Sequence, residues 1–347
     1  MPPSPLPKTM KAVQILGPKS SPNLILNPSQ PLPTTPPSTS DNQPILVRVH
    51  AAALTADELT WPELYTTITR IPGHDISGTV VSVPGSVVSS AWKAGDAVYA
   101  LLHPDCSAGG QAEYVYSLAD ELARKPSSLT HAQAAALPIP AVTAWEMAVE
   151  HVGMEWLRER GRGAGARVLV TGAAGAVGSM LVQLVRVLVP GTKVIALARR
   201  EREGYLRELG VEEVIVPGDD GGWVDEVGRR SVDAVLDTVG GEVFSRTWDT
   251  VKDDGVLVTV ADPAPAWAHD KSVVPAEAEG RPGVRDVYFI VSPDSTALGQ
   301  VADMIDKGQV KPLPVVEFPA DKAVEAWKHA GQRGRKGKVV INFVADA

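Results

Sequence analysis

The sequence predicts an α/β protein in which a strand-rich domain is joined to a doubly wound parallel sheet. Three observations point there. From about residue 167 the chain alternates apolar strand and amphipathic helix, which implies parallel strands with helices on both faces. Between 71 and 116, short β segments are broken by glycine and proline, the texture of a compact strand-rich region. A length of 347 residues also exceeds one ordinary core, so two domains are expected.

The elements follow in chain order. KAVQIL (11–16) and ILVRVHAA (45–52) read as strands. Between them, NPSQPLPTTPPSTSDNQP is expected to be a surface loop that cannot pair in a sheet, because proline donates nothing to a ladder. SGTVVSV, DAVYALL and AEYVYS come next as strands, and HAQAAALPIPAVTAWEMAVEHV as helical pieces. RVLVT opens the alternating part. Its helix, AVGSMLVQLVRVL, places Val177, Leu181, Leu184, Val185 and Leu188 on one apolar face. KVIALA, EVIVP, VDAVLD and GVLVTVA are further strands, separated by helices in EREGYLREL, GWVDEVGRR and GEVFSRTWDTV. Their apolar character fits burial on two sides. Residues 262 to 290 carry no regular pattern, and the tail from about 288 returns to mixed α and β character before closing on KVVINF.

Composition narrows the function. The 33 basic and 41 acidic residues leave a net charge of −8, without the basic excess that nucleic acid or an anionic membrane would require. The single cysteine, Cys106, excludes an intrachain disulfide and a thiolate-cluster metal site, and is expected to be inert. No apolar run approaches the roughly 18 residues that span a bilayer. The N-terminus has no apolar signal core, so a cytosolic location is expected.

The stretch TGAAGAVG carries the first functional signal. Gly172, Gly175 and Gly178 recur at a spacing of three and fall at a strand-to-helix turn. Helix N-terminal N–H groups and the helix dipole attract a pyrophosphate there. Gly175 would let the backbone approach the phosphates, and Gly178 would let the helix lie close to its strand. NAD binders usually place an acid about 20 residues further on. Here the chain reads Ala198-Arg199-Arg200, with no carboxylate. Guanidinium groups suit a 2′-phosphate, so NADPH is expected over NADH; the alternative makes Arg199 and Arg200 a solvated helix entrance.

With these residues the chain resembles the medium-chain dehydrogenase/reductase superfamily, in its zinc-free quinone oxidoreductase-like (enoyl reductase-like) branch. The resemblance runs nearly end to end, through ILVRVHAAALTADELTWPELY, IPGHDISGTVVSV, AGDAVYALL, GGQAEYV, AAALPIPAVTAWEMA, VLVTGAAGAVGSMLVQL, VDAVLDTVGG and GKVVINF. It implies a GroES-like catalytic domain from residues 1–140 and 288–347, with a Rossmann NADPH-binding domain (141–287) inserted and the active site in the cleft. A monomer or homodimer acting on a small molecule is the corresponding expectation.

Zinc-dependent relatives bind their metal through a Cys, the His of a GHE segment, and a third Cys or acid. The matching positions here hold Leu54, His74 and Ile139, so no metal is expected. Without a Lewis acid, reduction of an activated C=C or quinone is easier than oxidation of an unactivated alcohol. Tyr65 lies eight residues after Asp57, where zinc-free reductases carry an active-site tyrosine, while Thr55 stands where they carry an Asn. These two are the catalytic candidates. The resemblance further implies cofactor contacts at Thr143, at Gly172, Ala174, Gly175, Ala176, Val177 and Gly178, at Thr238, Val239 and Gly240, at Val260 and Ala261, and at Lys338. Leu54, Trp61, His74 and Tyr288 are expected to line the substrate pocket. Two other readings stay open: a zinc-free ketone or alcohol oxidoreductase, and an NADPH-binding protein without turnover.

Overall fold

A computed structural model describes residues 6–35, 44–66, 69–83, 92–104, 108–163, 165–218, 221–270, 273, 275–332 and 334–344. Cys106 lies outside them. The chain forms two units: Met1–Val142 with Ser292–Gly308 and Pro312–Ala347, and Thr143–Val291 with Gln309–Lys311.

The first unit begins with β1 (Thr9–Leu16) and β2 (Asn23–Pro31), then β3 (Ile45–Ala53), β4 (Asp75–Ser82), β5 (Ala97–Leu101), β6 (Tyr114–Ser117) and β7 (Leu122–Arg124). The proline-rich stretch after β1 is thus not all loop: its first residues complete β2, which pairs antiparallel with β1 from Leu16↔Asn23 to Thr9↔Pro31. A register shift between Met10 and Ala12 takes up Pro28 and Ser29, and β2 has no second partner among the described strands, so no ladder calls on either proline for a donor.

β3 is the hub of the larger sheet. It pairs with both β4 and β6 and is buried along most of its length. Its alanines leave room for the short helix α1 (His131–Ala135), which packs Ala132 and Ala135 against Ala51 and Ala53. A reciprocal cap between Thr130 and Gln133 starts that helix. After α1, helix α2 (Pro138–Trp145) runs into a π-helix over Glu146–Val152.

The second unit carries α3 (Met154–Arg160), β8 (Arg167–Thr171), α4 (Ala176–Leu188), β9 (Lys193–Leu197), α5 (Glu203–Glu208), β10 (Glu213–Ile215), α6 (Trp223–Val227), β11 (Val232–Asp237), α7 (Gly241–Thr247), β12 (Val251–Thr259), α8 (Ala266–His269) and β13 (Arg285–Tyr288). Its strands form one all-parallel sheet in the order β10-β9-β8-β11-β12-β13, the doubly wound arrangement the alternation predicts. Leu169, Ile195, Val235, Leu257 and Trp248 fill one face. β13 lies in the segment that shows no pattern in the sequence; four residues with two charges give no periodicity to read.

The chain then adds α9 (Ser295–Asp306), β14 (Val315–Pro319), α10 (Ala323–Ala330) and β15 (Lys338–Asn342) to the first unit. The sheet there runs β14-β15-β3-β4-β5-β7, with β6 also on β3. No helix among the described residues is long and apolar enough to cross a membrane.

Candidate functional site

The glycine loop sits where β8 hands over to α4. Gly172 has φ +58°, and a Cβ there would lie 2.4 Å from Thr238 Oγ1; at Gly178 it would lie 2.3 Å from the Gly172 carbonyl oxygen. Both positions therefore demand glycine. The 13-residue helix α4 opens at Gly175 with no side-chain cap. The Gly175 amide closes the turn on the Gly172 carbonyl at 2.8 Å, and the first-turn N–H groups of Ala176, Val177 and Gly178, which have no acceptor within the helix, offer donors at the positive end of a dipole. Ala174 completes the turn. This chemistry fits the pyrophosphate of a dinucleotide.

Beyond β9, Arg199 and Arg200 are exposed. A third arginine missing from the sequence reading, Arg202, is the one in contact with the loop. Its Nη2 donates to the Ala174 carbonyl at 3.3 Å, and its guanidinium lies 5.1 Å over the Tyr205 ring. Arg202 stands in ARRER at the end of the helical turn Arg200–Arg202, which Arg199 precedes in extended conformation.

At the ends of β11 and β12, Gly240 (φ 72°) packs so tightly that a Cβ would lie 2.6 Å from the Ala261 Cβ. Beneath this turn is Asp237, fully buried and also missed from sequence. Its carboxylate accepts from Thr171 Oγ1 (2.5 Å), Thr259 Oγ1 (2.7 Å), Gly240 N (3.0 Å) and Val239 N (3.3 Å). Burial pushes its pKa up, against the pull of these donors. Thr238 is tied to Thr171 through both its amide and its hydroxyl. Val260 is half-buried and Ala261 buried. Thr143 is buried in α2, and Tyr288 closes β13 with its ring 6.5 Å from that of His269.

In the first unit, the register Ala53↔Asp75 between β3 and β4 sets Leu54 and His74 at the next step of the antiparallel pair. His74 Nδ1 lies 3.0 Å from Glu58 Oε1, and the same oxygen accepts from Gly73 N at 2.5 Å. Glu58 is 1% exposed, so an imidazole N–H and an amide together satisfy a buried carboxylate. Burial pulls the His74 pKa down, but the Glu58 hydrogen bond and charge outweigh this and leave it above the ordinary histidine range. Trp61 leans on His74 with ring centroids 5.2 Å apart.

One strand position further, Asp75 is buried with Oδ1 accepting from Ile139 N at 2.7 Å and Oδ2 paired to Lys338 Nζ at 3.0 Å. Lys338 also donates to Thr55 Oγ1 at 3.3 Å. The ammonium expected to meet cofactor phosphates is thus held internally, and reaching a phosphate would mean leaving Asp75. Tyr65 turns its hydroxyl to the Leu59 carbonyl at 2.7 Å. Burial raises its pKa, partly opposed by the Arg70 guanidinium over its ring.

These residues do not fit a catalytic zinc. Leu54 and Ile139 have no donor side chain, which leaves His74 alone of the three expected ligands. Among the described residues, no three His, Cys, Asp or Glu side chains converge to hold an ion.

Residues 41–127 match the alcohol dehydrogenase GroES-like domain, and 209–341 match the zinc-binding dehydrogenase family. Over 344 residues, 98% of each chain, the protein is 33% identical to "Probable zinc-binding oxidoreductase, mitochondrial" of Arthroderma benhamiae. The chain belongs to the medium-chain dehydrogenase/reductase superfamily. Within this oxidoreductase superfamily, it is 29% identical over 317 residues to "NADPH-dependent alkenal/one oxidoreductase, chloroplastic" of Arabidopsis thaliana, covering 88% of this chain and 73% of that one. The solved structure of the quinone oxidoreductase from Coxiella burnetii superposes with TM-score 0.76 at 26% identity, covering 96% of this chain and 99% of that one. Superfamily membership agrees with the GroES-like and Rossmann parts expected from sequence. The zinc in two of the matched names has no counterpart in the donors described above, and the two organelle names lend the expected cytosolic location no support.

Proposed function

We propose that the protein is an NADPH-dependent reductase that adds hydride to the activated C=C of an α,β-unsaturated carbonyl or quinone without zinc. The observation that carries the reading is the end of β9. Three guanidiniums gather there, no carboxylate stands in the NAD-selecting position, and Arg202 already touches the glycine loop. Support for the substrate class comes from the alkenal/one and quinone relatives, and from the apolar Leu54 and Ile139 at two positions that zinc chemistry would need.

A bound reduced nicotinamide would supply the hydride to the β-carbon. The substrate carbonyl oxygen then gathers enolate charge, which a hydrogen-bond donor stabilises, and the α-carbon takes a proton. Thr55 accepts from Lys338 and keeps its own hydroxyl proton for such an oxygen. Tyr65 must release the Leu59 carbonyl before it can deliver a proton. Leu54, Trp61 and His74 would line this side of the substrate pocket.

The test is NADPH oxidation followed optically with a panel of quinones, enones and saturated ketones. Turnover on the first two and none on saturated ketones is expected, with metal-free protein equally active. Tyr65→Phe should lower kcat about tenfold or more with NADPH affinity unchanged. Tight NADPH binding without turnover on any substrate would instead identify a non-catalytic binder.

A further inference from the structure

Every amide in the two strand-end turns faces inward. Val239 N and Gly240 N donate to the Asp237 carboxylate, Thr238 N to Thr171 Oγ1, Val260 N to the Asp237 backbone carbonyl, and Ala261 N to Thr259 Oγ1 at 3.2 Å. Thr171 and Thr259 in turn pass their hydroxyl hydrogens to the same carboxylate. In a trans peptide the C=O points opposite to the following N–H. The carbonyls of Thr238, Val239 and Val260 are therefore directed away from this hub. As arranged, all four groups bonded to the carboxylate donate to it, and the ionised form is the one that accepts from all four at once.

We propose that Asp237 is a positioning residue that fixes the polarity of the strand ends: it draws the amides of 238–240 and 260–261 inward and leaves a rim of carbonyl acceptors for the donor-bearing nicotinamide riboside end of the cofactor. The glycine loop has the opposite polarity, with outward N–H donors for phosphate. The two halves of a dinucleotide are thus sorted along the sheet by one buried carboxylate. This rests on the cofactor reading above.

The test compares two ligands, NADPH and adenosine 2′,5′-bisphosphate, which lacks the nicotinamide. Asp237→Asn keeps the shape but cannot accept at both positions. It should weaken NADPH binding about tenfold or more, by loss of hydrogen bonds to a charged group, while the bisphosphate stays within twofold. A merely structural role would weaken both alike, and that result overturns the proposal, as does unchanged NADPH binding. Should Asp237→Asn not fold, Thr259→Val removes one donor and should weaken NADPH selectively, while Thr259→Ser should restore it; equal binding by all three forms overturns the role. Without any cofactor, hydrogen exchange of the Val239 and Gly240 amides should be slow in the wild type and fast in Asp237→Asn, and equal rates would remove the hub. Wild-type protein that binds neither NADPH nor NADH would instead overturn the cofactor reading, and this role with it.

Discussion

The two ends of β11 hold the same residue in opposite settings. Asp233, near the N-terminal end, and Asp237, at the C-terminal end, are 1% and 0% exposed. Asp233 is met by cations: Arg160 Nε at 3.0 Å and Lys252 Nζ at 2.7 Å, with Arg167 N at 2.9 Å. Burial pushes its carboxyl up, but these partners overcome that and hold it below the usual range. Asp237 is met by two hydroxyls and two amides, and burial dominates. The difference teaches where the sheet spends charge. Its N-terminal edge neutralises a buried anion for stability, whereas its C-terminal edge, where open α/β sheets bind ligands, keeps its buried anion free of cations and uses it to orient the backbone.

The largest expected effect breaks the stabilising end. Asp233→Asn strips Arg160 and Lys252 of their shared carboxylate and should cost about 2–3 kcal/mol in urea denaturation, with NADPH affinity of the folded protein unchanged. A loss of cofactor affinity as large as that of Asp237→Asn would erase the contrast. At the ligand end, Arg202→Ala should weaken NADPH about tenfold while barely touching NADH, measured by fluorescence titration. Equal weakening of the two would assign Arg202 to holding the loop alone.

The smallest effect concerns a half-buried base in the first unit. His131 Nδ1 lies 2.8 Å from Ser77 Oγ, whose own proton goes to the Val98 carbonyl, so the imidazole is the donor and no carboxylate compensates it. Its ring lies 4.1 Å from that of His50. Burial, reinforced by His50 and Lys125, lowers its pKa to about 4. A lowered histidine pKa means the unfolded chain takes a proton first. Stability is thus undiminished above about pH 6.5 and falls as pH drops from there toward 4. Because the ring is only partly buried, the loss should be no more than about 1 kcal/mol, and His131→Asn should flatten that part of the stability profile.

What the sequence disclosed follows from how local each signal is. The glycine loop, α4 and five strands of the parallel sheet depend on periodicity and backbone sterics over a few residues, and all are legible. Glu58 and His74 are 16 residues apart on separate segments, and only the folded chain shows that one carboxylate serves both Gly73 and the imidazole. Lys338 and Asp75 are brought together by a strand from the far end of the chain. Asp237 looked like the last residue of an apolar strand, because its role lies in hydrogen bonds to β8 and β12 rather than in its neighbours. Arg202 was passed over for the nearer Arg199 and Arg200, although a helical turn after β9 carries the third guanidinium, and not the first two, back to the loop. β2 was hidden by its prolines, which break ladders in general but are tolerated on a strand that is paired on one side only.

That strand has a consequence for how copies of the protein behave in concentrated solution. Among the described residues no other strand pairs with the outer side of β2, and such an edge is the kind of template on which another chain can add itself as a strand. Pro28 and Pro31 each withhold an amide, and the bulge bends the edge out of register, so an incoming strand meets gaps where it needs donors. The same prolines that concealed β2 in the sequence guard the protein against edge-to-edge aggregation.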